Sequence, residues 1–333
     1  MLRYIANRIA ILIPLLLFIS LISFLLIQLP PGDFLTTLIE TLRASGTELA
    51  DDEIARLTQQ YGLDRPLHSQ YLLWISNIIL HGDLGWSFNW NRPVSEVIGQ
   101  RVWFTVVITM LSVLFIWVVS IPIGIYSATH QYSIADYFFT FLGFIGIATP
   151  GFLLALLVVW TLFSQFGINV SGLHSSEYLG APWSWGKFFD LLAHLWVPMI
   201  LLGISGTGAL IRIMRGTLLD ELSKQYVITA RAKGLKESRL LFKYPVRLAV
   251  NPLISTVGWL LPFLFSGELL ISLVLDIPTI GPVLLRALLF QDMYLAGSFV
   301  IILSSLVVTG TLISDVLLAW IDPRIRFGQV SET

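Results

Sequence analysis

The sequence predicts an all-α integral membrane protein with six spanning helices, and three observations predict it. Hydrophobic residues fill 56% of its 333 positions and charged residues only 12%, against about 25% charged in ordinary soluble domains. The mean hydropathy is +0.80. Apolar runs long enough to cross about 30 Å of hydrocarbon recur from one end of the chain to the other. They describe one membrane domain over residues 1–333 rather than two soluble ones.

The first apolar run, residues 9–29, follows Arg3 and Arg8 and passes into Gln28-Leu-Pro-Pro-Gly-Asp33 without a small-x-small cleavage pattern. It is also longer than a secretory h-region, so it reads as a retained anchor helix. A large loop, residues 30–100, comes next. Within it Thr47-Glu-Leu-Ala-Asp-Asp-Glu-Ile-Ala-Arg-Leu57 has an acidic first turn with Ile54 and Leu57 at helical spacing, which predicts a helix on the outer surface. Residues 101–321 then hold a five-helix core, with spans expected at 102–128, 137–166, 195–214, 253–275 and 295–321. Pro122, Gly124, Pro150 and Gly151 fall inside these spans; in a bundle, neighbouring helices satisfy the backbone groups such residues free.

Lysine and arginine set the orientation. With the N-terminus inside, the cytoplasmic face receives 13 of the 20 basic residues, most of them between Arg212 and Arg247. This is the positive-inside bias and predicts cytoplasmic termini, with a short tail over 322–333. There is no cysteine, which excludes disulfides, thiolate metal sites and a cysteine nucleophile.

The cytoplasmic loop over 215–251 is the most informative stretch. Residues 226–233 read as a short helix and Gly234 as the left-handed residue that ends it. Small Ala230 and Ala232 would let another surface approach closely, ringed by the positive charges of Arg231, Lys233 and Lys236. A second amphipathic piece, 238–250, leads into the next span. Considered alone, such a loop also suits a basic segment that fixes topology or touches anionic lipid.

The residues themselves carry a resemblance. Tyr226-Val-Ile-Thr-Ala-Arg-Ala-Lys-Gly-Leu235 resembles the loop signature of binding-protein-dependent ABC importer permeases, specifically the dipeptide, oligopeptide and nickel permease family. Tyr61-Gly-Leu-Asp-Arg-Pro-Leu67, Gly82-Asp-Leu-Gly-Trp-Ser-Phe88, Ile121-Pro-Ile-Gly124, Asn251-Pro252 and Asp322-Pro-Arg-Ile-Arg-Phe327 are similar to further stretches of that family in the same order. Departures are Ile228 where the family often has Arg, Ser272 where it has Glu, and Thr279 for the first Gly of Pro-Gly-x-Gly.

The resemblance implies the type I ABC importer permease fold and a coupling helix made by Tyr226, Val227, Thr229, Ala230, Arg231, Ala232, Lys233, Gly234 and Leu235. It implies two separate ABC ATPase subunits that bind the ATP and magnesium, so that this chain holds no cofactor and is not itself an enzyme. It further implies a second, homologous permease, a relative rather than a copy, and an external solute-binding protein. The solute class is di- or oligopeptides, with oligosaccharides or nickel chelates as neighbouring classes.

Other motifs fail on their own chemistry. Gly180-Ala-Pro-Trp-Ser-Trp-Gly-Lys187 is one residue too long for a phosphate loop, and Phe188 stands where a hydroxyl should meet magnesium. Gly203-Ile-Ser-Gly206 matches an intramembrane serine protease string, but all five histidines precede it. Its small residues suit close helix packing instead. The histidines are scattered without metal-ligand spacing.

Ionisable groups within the spans are scarce and are expected to face protein, since a charge facing lipid costs at least about 2.5 kcal/mol. Glu268 and Ser272 are expected on the solute path and Asp315 in a structural role by the last span; Arg212 and Arg215 are expected to snorkel or touch the coupling loop. The alternative from another class is a secondary active transporter without an ATPase partner. It calls for repeated halves and a midplane ion relay, of which only isolated acids are visible.

Overall fold

The computed structural model describes residues 2–30, 32, 34–44 and 50–321. Its helices in chain order are α1 (Leu2–Ile27), α2 (Phe34–Ala44), α3 (Asp51–Tyr61), α4 (Leu67–His81), α5 (Val94–Thr129), α6 (Ile134–Ala148), α7 (Gly151–Phe166) and α8 (Trp185–Leu222). There follow α9 (Gln225–Ala232), α10 (Glu237–Lys243), α11 (Pro245–Ala249), α12 (Asn251–Ser255), α13 (Val257–Leu275), α14 (Ile280–Leu289) and α15 (Met293–Ile321). A two-residue hairpin, β1 (Trp86–Ser87) against β2 (Arg92–Pro93), precedes α5. The described residues divide into two compact units, one within 2–105 with 278–308 and one of 106–277 with 309–321.

The first unit is built around an apolar cluster of Phe24 and Ile27 from α1, Trp74 from α4, Val97 and Ile98 from α5, and Ile280, Val283 and Phe299 near the other end of the chain. Its polar anchor is Asp292, which is fully buried. The Ser87 hydroxyl and the Asn89 amide donate to Oδ2 at 2.6 and 3.1 Å, and the Leu295 amide donates to Oδ1 at 3.3 Å. One carboxylate therefore caps α15 and fixes the hairpin, satisfying orphan donors at a helix start. Burial pushes this carboxyl above the usual carboxylate range although the donated hydrogen bonds pull it down.

In the second unit the expected third span is not one helix. It is the pair α6 and α7, bent by 103°. The cause is local: Pro150 disfavours helical backbone at the residue before it, and Thr149 is extended at φ −94°, ψ 124°. Among the described residues five other helices are long and apolar enough to cross a membrane, as the remaining runs predict. Pro122, Pro198 and Pro262 sit inside α5, α8 and α13 without ending them. Helix α8 is 38 residues long, beyond the 195–214 expected of it.

Antiparallel α6 and α8 meet backbone to backbone at Gly143 and Gly208, where a Cβ on Gly208 would stand 2.4 Å from the Gly143 carbonyl oxygen. The Ser205 hydroxyl donates to the Gly146 carbonyl at 2.8 Å across the same contact. The Gly-Ile-Ser-Gly string is thus a packing element.

In the 30–100 loop, the expected helix from Thr47 is observed as α3, starting at Asp51. Residues 45–49, and the Asp322 to Phe327 stretch, lie outside the described residues.

Candidate functional site

Helix α8 ends at Leu222, and extended Lys224 turns the chain into α9. The inward face of α9 is apolar: Val227 is fully buried and Ala230 nearly so, both packed with Leu240 of α10 and flanked by Tyr226, Leu235 and Tyr244. The Tyr226 hydroxyl donates to the Glu221 carboxylate, which ties α9 back to the last turn of α8. Burial and that acceptor both push the Tyr226 phenol up, so it stays a neutral donor. Ile228, Thr229, Arg231, Ala232 and Lys233 face outward.

The end of α9 follows from one glycine. Gly234 has φ +78°, the Leu235 amide donates to the Ala230 carbonyl at 3.3 Å and the Gly234 amide to Arg231 at 3.0 Å. This double closure satisfies the last carbonyls of the helix at a backbone conformation that L side chains resist. Arg231 pairs with Glu237 at the start of α10, holding that exposed carboxyl below the usual range. Ala230 is turned inward, so of the two alanines only Ala232 offers a small outer surface.

The second amphipathic piece is likewise divided. It forms α10 and α11, broken at Tyr244 because Pro245 has no amide to continue the ladder. Helix α11 lies on α8: Met214 and Leu218 pack with Val246, Ala249 and Leu253, and the Thr217 hydroxyl donates to the Ala249 carbonyl at 3.1 Å. Between α9 and α11 opens a cleft of about 920 Å³ whose charged lining, Lys233, Lys243 and Arg247, is wholly positive. The arrangement is an exposed helix joined through a packed apolar face to a helix that enters the membrane.

A second cavity of about 490 Å³ lies where α7 begins, between α8 and α13, lined by Thr149, Pro150, Ser205, Ser266, Gly267 and Phe263 among others. Irregular backbone at membrane depth survives only where protein or a wet cavity covers it, and the break at Thr149 and Pro150 meets that condition here. Glu268 and Ser272 are not in its lining. Both are buried, and the Ser272 hydroxyl donates to Glu268 Oε1 at 2.7 Å. Asp315 is half-buried on α15 beside Ser314, whose hydroxyl donates to the Ile254 carbonyl at 2.7 Å.

Three polar centres escaped the sequence reading. One is the Arg215 guanidinium, which is clamped on Asp136 of α6. Asp292 is the second. His174 and His194, far from scattered, converge on Asp190 at 3.1 and 3.6 Å. A Ser-x-x-Asp start to α6 was the available signal for Asp136, since the Ser133 side chain caps that helix by accepting from the Asp136 amide.

Comparison with known proteins gives the same direction. A sequence model described as the N-terminal part of the binding-protein-dependent transport system membrane component matches residues 1–109. The chain is 33% identical over 328 residues to the oligopeptide transport system permease protein AppB of Bacillus subtilis, covering 98% of this chain and 100% of that protein. It is 30% identical over 343 residues to the dipeptide transport system permease protein DppB of Escherichia coli K12, covering 98% and 99%. It is 32% identical over 327 residues to the glutathione transport system permease protein GsiC of Salmonella paratyphi A, covering 98% and 100%. Residues 120–327 match the family described as the binding-protein-dependent transport system inner membrane component, and the chain belongs to that family of multi-pass inner-membrane permeases.

Proposed function

We infer that this permease forms half of a solute path and couples it, through α9, to ATP hydrolysis on two separate ABC ATPase subunits. The observation that carries this reading is the linkage of α9 to α8: Val227 and Ala230 lock onto Leu240, and the Thr217 to Ala249 hydrogen bond with its apolar surround locks α11 onto α8. A push on the outward residues Ile228, Thr229 and Ala232 is therefore delivered to a helix that passes through the membrane. Closure of the ATPases on ATP and magnesium would draw two such elements together and bias the bundle between inward and outward access.

In this reading both termini are cytoplasmic, the other half of the path is a related permease rather than a copy, and an external solute-binding protein delivers the cargo. Names of the relatives point to small peptides, including dipeptides, oligopeptides and glutathione. The 490 Å³ cavity at the α7 break supports a cargo of that size, and no ionisable side chain is in its lining. Glu268 and Ser272 would act behind this wall, holding α13 in shape.

Reconstituted vesicles test the reading. Uptake of labelled peptide should require ATP, the ATPase pair, the second permease and the binding protein together. Uptake by this chain alone down an ion gradient would instead establish a secondary transporter.

A further inference from the structure

Gly143 and Gly208 pin α6 to α8. Seven residues away on each helix, in opposite chain directions, stand Asp136 and Arg215, joined by hydrogen bonds of 3.0 and 2.9 Å. Between these two fixed points the helices leave a cleft of about 170 Å³.

Arg212 lies in it, one turn beyond Gly208, with its guanidinium 5.1 Å from the centroid of the Phe144 ring. Among the described residues Arg212 makes no ion pair. Asp136 is the only acid in the lining, and its charge is already matched by Arg215, so the three groups together keep one positive charge. Tyr132, Tyr137 and Thr140 are also in the lining. The adjoining face of α6 exposes Tyr137, Phe138, Phe141 and Phe144.

An unmatched cation beside an apolar face near the end of a spanning helix is costly in hydrocarbon and is relieved by a phosphate at the interface. A guanidinium also suits a phosphodiester, to which it can donate two parallel hydrogen bonds. Basic pockets between spanning helices on the cytoplasmic side are headgroup sites by this same chemistry.

We propose that this cleft holds the headgroup of one anionic glycerophospholipid, of the phosphatidylglycerol class, with its phosphate on Arg212 and its acyl chains along the aromatic face of α6. The site places a lipid on α6, the helix whose 103° break from α7 borders the 490 Å³ cavity. It stands apart from the coupling reading, because it needs no ATPase contact.

Native mass spectrometry of the complete transporter in micelles, titrated with phosphatidylglycerol or phosphatidylcholine, tests it without depending on membrane orientation. Wild type should hold phosphatidylglycerol about fivefold more tightly than Arg212→Gln, while phosphatidylcholine binds both alike. Arg212→Lys, which keeps the charge, should lie between them and gives the comparison if the Gln variant fails to assemble. Equal phosphatidylglycerol retention in wild type and variant overturns the site, whether the cation reaches free solvent or another subunit covers the cleft. Displacement of the lipid by soluble glycerol phosphate at equal concentration would also overturn it, leaving a simple phosphate site.

Discussion

Arg215 grips Asp136 with both arms of its guanidinium, Nε on Oδ1 at 3.0 Å and Nη2 on Oδ2 at 2.9 Å. The carboxylate is 3% exposed and the guanidinium 26%, so this pair joins α6 to α8 where water has limited access. Removing one partner of a fully buried pair costs about 3–5 kcal/mol. With Arg215 partly wet, Asp136→Ala should cost about 2 kcal/mol. Thermal unfolding of the purified complex in micelles measures it, and unchanged stability would show that the pair is not a fastener.

The Gly143 and Gly208 contact makes a sharper steric prediction. A methyl group on Gly208 would stand 2.4 Å from a backbone oxygen, so the helices themselves must separate; nothing lies within 4 Å of the same addition at Gly216. Gly208→Ala should therefore destabilise by about 1–3 kcal/mol and impair transport, whereas Gly216→Ala should do neither. Equal behaviour of the two variants, read by unfolding and by peptide uptake, would contradict the crossing.

Asp292 supplies a prediction for the first unit. Ser87→Ala removes a hydroxyl donated to a buried carboxylate at 2.6 Å and should cost about 1.5–3 kcal/mol. The pH dependence has a defined sign. Because folding raises the Asp292 carboxyl above its unfolded range, the folded state binds more protons, so this group's contribution to stability is greatest below the unfolded pKa of about 3.9. It declines as pH rises through the higher folded value. Asp292→Asn should flatten that portion of the stability profile, measured by unfolding across acidic pH, and a variant that keeps the slope would assign it to another group.

These centres mark where the sequence was legible and where it was not. Long apolar runs announce themselves, because hydropathy sums over some 20 residues and needs no partner. The end of α9 at Gly234 was legible for a similar reason, since a left-handed position asks for glycine locally. By contrast, Asp136 and Arg215 are 79 positions apart in the chain, and Ser87 and Asp292 are 205 apart. Nothing local pairs them; only the packed helices do. The inward turn of Ala230 was hidden likewise, because it depends on where Leu240 arrives after the loop. The break at Thr149 was half visible: Pro150 signals it, but a proline names no angle, and the observed one is 103°.

Gly234 bears on coupling itself. No atom lies within 4 Å of a Cβ added there, so a side chain would fit in space but not in backbone conformation. Gly234→Leu should strain the turn by about 1–2 kcal/mol. It should leave membrane insertion intact and uncouple or disassemble the complex, read as the ratio of ATP hydrolysed to peptide imported. Normal transport by this variant would count against a mechanical role for the turn.

The chain has no native cysteine, so single cysteines at Thr229 and Ala232, both on the outward face of α9, allow clean crosslinking in the native assembly. The account predicts that each captures a nucleotide-hydrolysing subunit, with a yield that changes between ATP-bound and nucleotide-free states. Failure of both positions to capture such a subunit in the intact assembly would contradict the assignment of α9 as the coupling element.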